Sequence, residues 1–131
     1  MNRSDFTALA ERALAAIPSE FLQRVENLCI QIEDWADPET LAEVGFDDRR
    51  ELLGFYRGLP LDERGFDQLT VLPDVIVLYQ RAIEGYARES GEGPLRVIRE
   101  TLMHELAHYF GFSEEEMDAI EAVWADPDRL P

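Results

Sequence analysis

The stretch Pro94–Gly111, PLRVIRETLMHELAHYFG, decides how the rest of the chain is arranged. Proline suits the first helical position, where its missing N–H costs nothing, and glycine suits the left-handed residue that ends a helix. Between them Leu95, Ile98, Leu102, Leu106 and Tyr109 recur along one side at helical spacing. Val97, Met103, Ala107 and Phe110 cover much of the remainder. The pattern predicts a helix over 94–110, buried beyond its first turn, around which the other elements must pack.

Downstream, Ser113 and Glu116 have capping-box spacing, which predicts a short last helix to about Trp124, closed by Asp126-Pro127. Upstream, Phe6, Leu9, Ala10, Ala13, Leu14 and Ile17 form one apolar stripe. That stripe predicts an N-terminal helix from Asp5 to Ile17, capped by Ser4 or Asp5 and ended by Pro18. In NLCIQIEDW (27–35), Leu28, Ile30 and Ile32 alternate with Cys29, Gln31 and Glu33, which predicts a strand with one face on a core. DPETLAEVG (37–45) reads as a helical turn opened by Pro38, and ELLGFYRG (51–58) as a second strand. GLPLDERGFDQLTVLPD (58–74) has the prolines and acids of a long surface loop. DVIVLYQ (74–80), rich in β-branched residues, is the strongest strand, and RAIEGYARE (81–89) is a short helix broken by SGEG. The order predicts an α+β fold, a sheet covered by helices, in a single domain over 1–131.

The totals narrow the function. The chain has 131 residues, 46% hydrophobic and 31% charged, which is globular composition. No apolar run approaches the roughly 18 residues of a membrane span, and the N-terminus carries acids that a secretory signal lacks. A net charge of −16 repels phosphate backbones, so nucleic acid is not an expected partner, and with no apolar span neither is a membrane. A lone cysteine, Cys29, excludes an internal disulfide and suits a reducing cytoplasm; burial in the first strand is its expected place.

The chemistry sits inside the long helix. His104 and His108 are four residues apart, one turn up the same face, so both imidazoles can reach one tetrahedral zinc ion. Glu105 projects from a neighbouring angle, suited to taking a proton from a water that the metal activates. The competing explanation is a helix with polar residues satisfied in the core. These are the only histidines in the chain, and such spacing with the glutamate arises by chance in about one chain in a thousand. Burying all three groups beside Leu102, Met103 and Leu106 without a partner would cost several kcal/mol, a conflict that a metal relieves.

Two histidines leave a catalytic zinc one protein ligand short. Gly111 lets the chain reverse, so Glu114, three residues further on, can return to the metal. Glu115, Glu116 and Asp118 are its rivals, and acids in a first helical turn also complement the helix dipole without any metal.

With these residues in view, the chain resembles the small bacterial zincin-like metallopeptidases, which have a minimal matrix-metalloprotease-like fold. ALAAIPSEFLQRVENLCIQIED corresponds to the family's opening helix, proline break and first strand. LLGFYRGLPLDER corresponds to its glycine-flanked strand and loop, and LPDVIVLYQRAIE to its edge strand. TLMHELAHYFGFSEEEMDAI corresponds to its metal helix and last turn. The resemblance implies a mixed sheet packed by the N-terminal and metal helices, zinc on His104 and His108, and Glu105 as general base. The family's third ligand is an aspartate three residues after the glycine; Glu114 stands there, one methylene longer. Met117 lies in the last predicted helix and reads as core rather than as a metzincin-type methionine turn.

The implied activity is hydrolysis of peptides or loosely folded proteins, with the substrate laid along the edge of DVIVLYQ. Tyr79 and Tyr109 are candidate oxyanion donors that more often pack in a core. The alternative function is a zinc-binding interaction or regulatory module without turnover, since the short C-terminal part offers little wall for a cleft.

Overall fold

Asn2 opens the fold: its side-chain oxygen accepts the Asp5 N–H at 2.8 Å, so the first helix, α1, runs Arg3–Ala15. Helix α1 starts two residues before the predicted Asp5 because asparagine is as good a cap as the expected Ser4 or Asp5. Asp5 instead lies in the first turn, where it faces the positive end of the helix. The structure, a computed structural model, describes residues 1–19, 23, 25, 28–58 and 74–124. The predicted 58–74 loop, apart from Gly58 and Asp74, and the Asp126-Pro127 stop lie outside the described residues.

Strand β1 spans Leu28–Glu33 with the expected alternation of half-buried and exposed residues. Helix α2, Pro38–Val44, begins under an Asp37 cap that accepts the Thr40 N–H at 2.7 Å, and ends at Gly45. A 3₁₀ turn, Arg49–Glu51, leads to strand β2, Gly54–Arg57. Strand β3, Asp74–Tyr79, passes without a loop into helix α3, Gln80–Ser90. Helix α4, Pro94–Phe110, has the predicted bounds, with Gly111 left-handed at φ 76°. Helix α5 spans Glu114–Trp124.

The three strands form a mixed sheet in the order β1-β3-β2, β1 parallel and β2 antiparallel to β3. DVIVLY is therefore the central strand, not the predicted edge. Its near-continuous apolar run has a physical meaning here: Ile76, Val77, Leu78 and Tyr79 are all buried, so both faces are covered and both edges paired. Among the described residues, the edge next to α4 is β2.

Residues paired across a sheet share a face. Leu28, Ile30, Ile76, Leu78, Gly54 and Tyr56 look toward the helices. There Phe6 of α1 and Ile98, Leu102, Leu106 and Tyr109 of α4 complete the main core. The opposite face has a smaller cluster around Val77, Tyr79, Leu52, Ala36 and Ala82. Among the described residues, that cluster covers β3 and does not extend over the outer face of β1. Cys29, paired with Val75 on that face, is consequently exposed rather than buried as expected. Met117 is buried, as read from the sequence. Among the described residues no helix is long and apolar enough to cross a membrane.

Candidate metal centre

Helix α4 lies against α1, β2, β3, α3 and α5. Only a narrow strip of its last turns reaches the surface, and His104 and His108 occupy it. Both rings are exposed, with centroids 4.8 Å apart, and their Nε2 atoms converge to 3.2 Å. A tetrahedral zinc bonded to two imidazoles at about 2.0–2.1 Å needs those nitrogens about 3.3–3.4 Å apart. The donor pair fits that ion with almost no rearrangement. Without a metal, the same separation lets one ring N–H donate to the other.

Glu105 behaves differently from its neighbours. It is 7% exposed, turned inward from the histidine strip toward β2. The expected burial of all three polar groups holds for Glu105 alone, because a step of one residue rotates a helix by about 100°. Burial pushes its carboxyl up to about 7, although the neighbouring His104 charge and a hydrogen bond from the Tyr56 backbone N–H pull it down. Partial burial and the His104 charge lower the pKa of His108, so its ring is neutral and free to donate a lone pair at neutral pH. The ligand atoms of His104, Glu105 and His108 all lie within 4.8 Å of one another.

The approach of β2 to α4 depends on Gly54. A Cβ there would stand 2.7 Å from Thr101 Cγ2 and 3.2 Å from the Val77 carbonyl oxygen. Only a residue without a side chain lets the edge strand come this close to α4 and to Glu105, whose Cγ would be 3.4 Å from that Cβ. Sequence reasoning missed this contribution. The glycine inside ELLGFYRG was the available signal for a close approach.

Past the helix, Gly111 N–H donates to His108 O at 3.1 Å and Phe112 N–H to Ala107 O at 3.0 Å, closing the turn that the glycine predicts. The capping box forms reciprocally: Glu116 N–H donates to Ser113 Oγ at 3.1 Å, and Ser113 N–H to Glu116 Oε1 at 3.1 Å. That engages the Glu116 carboxylate in capping. Glu115 and Asp118 are exposed. Glu114 is the first residue of α5, and its side chain lies outside the described residues. Tyr79 and Tyr109 are packed in the two cores, Tyr109 edge-on to Tyr56 at 6.0 Å between centroids. Beside Glu105 and His104 opens a pocket of about 550 Å³ that reaches past Gly54 toward α3.

The comparisons with known proteins meet this geometry on the same residues. Residues 25–124 match the family described as zincin-like metallopeptidase, while no curated protein matches the chain. A divalent metal, typically zinc, is what that family implies. Since the match takes in the sheet, helix α4 and the whole of the last helix, well over half of the sequence, the chain belongs to the zincin-like metallopeptidase family.

Proposed function

We propose that the chain is a zinc-dependent peptidase acting on peptides or loosely folded proteins, with His104, His108 and Glu114 holding the metal and Glu105 as general base. The observation that supports it most directly is the 3.2 Å separation of the two Nε2 atoms beside a buried carboxylate. Zinc held there would supply Lewis-acid polarisation of the scissile carbonyl and of the attacking water. Glu105 takes the proton from that water and returns it to the leaving amine. A carboxylate held beside that position is the group suited to accept the proton and pass it on.

The substrate strand moves from the predicted position. Because β3 is central, an extended peptide pairs instead along the outer side of β2, which leads past Tyr56 to Glu105. Turnover of a broad peptide library by zinc-loaded protein, against the Glu105→Gln variant, tests the reading. A peptidase loses turnover in the variant while still binding zinc. Equal, negligible turnover in both proteins would overturn it in favour of a zinc-binding module.

A further inference from the structure

We propose that the pocket beside the metal centre receives a basic side chain of the substrate, arginine before lysine; this rests on the peptidase reading and names its substrate class. The pocket, about 550 Å³, is large enough for any single side chain, so its lining rather than its size decides the occupant.

Its floor is apolar. Leu52, Val97 and Met103 line it and are 7%, 1% and 2% exposed. Its rim is different. Phe46 and Tyr86, two of the three large hydrophobic side chains exposed among the described residues, stand at its opening. So do two exposed carboxylates, Glu51 on the 3₁₀ turn and Glu100 on α4. Among the described residues, no arginine or lysine lines it.

An apolar floor under an acidic, aromatic rim matches an amphipathic side chain. Arginine and lysine lay their methylenes on apolar surface and return the charged head to water. Here the head would come back between Glu51 and the rings of Phe46 and Tyr86, and a guanidinium stacks on such faces better than an ammonium. A purely aliphatic occupant would leave the carboxylates unused, and an acidic one would be repelled. Glu100 already pairs with Arg96 at 3.1 Å, so Glu51 carries more of the discrimination. The net charge of −16 adds a long-range attraction for basic peptides. Since His104 and Glu105 also line the pocket, the side chain it holds belongs to a residue flanking the scissile bond.

Two measurements on the intact chain test this separately from turnover. In the first, butylguanidinium, which has no peptide bond to cleave, is titrated while the ring signals of Phe46 and Tyr86 are followed by NMR. It is expected to bind about tenfold more tightly than n-butanol, and the Glu51→Arg variant to remove that advantage, with Glu51→Gln removing part of it. Equal binding of the two probes, or an advantage that survives Glu51→Arg, overturns the proposal. In the second, zinc-loaded protein is given a peptide library. Turnover without preference for a basic residue next to the cut overturns the pocket and keeps the peptidase. Guanidinium-selective binding with no turnover keeps the pocket and overturns the peptidase.

Discussion

Gly54 of the edge strand β2 lies against Glu105 of the helix that carries both histidines: a Cβ on Gly54 would stand 3.4 Å from Glu105 Cγ. Glu105 is thereby positioned by the sheet as well as by its own helix, and Gly54 sets how close the two can come.

The Gly54→Ala variant tests that arrangement. Its methyl would meet Thr101 Cγ2 at 2.7 Å, so β2 or Thr101 has to shift. Such overpacking is expected to cost about 1–3 kcal/mol in denaturant unfolding. Turnover should fall while zinc is retained. Thr101→Ser removes the obstructing methyl, so the double variant should recover part of the loss; strictly additive effects would mean that the clash is not the cause.

Glu105 makes the metal-free protein respond to pH in a specific direction. Its carboxyl rises from 4.5 to about 7 on folding because it is buried. A carboxyl raised in this way costs no stability below the unfolded value and its full penalty above the folded one, so stability falls as pH climbs from 4.5 to about 7. The penalty is on the order of 3 kcal/mol. Thermal melts in chelator at pH 5 and pH 8 should show wild type losing ground to Glu105→Gln at the higher pH. His108, whose pKa is lowered, opposes this with stability lost as pH falls, but it is common to both proteins and cancels. Parallel profiles would contradict the burial of an ionisable Glu105.

Zinc should stabilise the chain through the histidines. At a free concentration 100 times its dissociation constant, a metal that binds only the folded state contributes about 2.7 kcal/mol. His104→Ala and His108→Ala should each abolish the rise in melting temperature. Both residues are exposed, so the metal-free variants should stay within about 0.5 kcal/mol of wild type. A zinc shift that survives either change would remove that histidine from the site.

The acids after the turn divide by role. Glu114→Ala is expected to weaken zinc at least about tenfold in chelator competition. Glu115→Ala and Asp118→Ala should leave affinity unchanged. Glu116→Ala should cost about 1 kcal/mol of stability, because its carboxylate caps Ser113 N–H, with zinc affinity intact. Loss of affinity in Glu116→Ala instead of Glu114→Ala would exchange the two assignments.

What the amino-acid order determined by itself is local. The bounds Pro94–Phe110, the left-handed Gly111, the Ser113–Glu116 box and the alternation of β1 each depend on residues a few positions apart, whose side chains carry the signal. The convergence of His104 and His108 is of this kind, since a helical turn alone places them together. Tertiary structure decided the rest. It put DVIVLY in the centre of the sheet, left Cys29 at the surface, and buried Glu105 while exposing the histidines on either side. Each of these depends on which distant segment packs alongside: strand edges pair through backbone groups that every sequence shares, and the glycine at 54 shows in the sequence while the helix it meets does not.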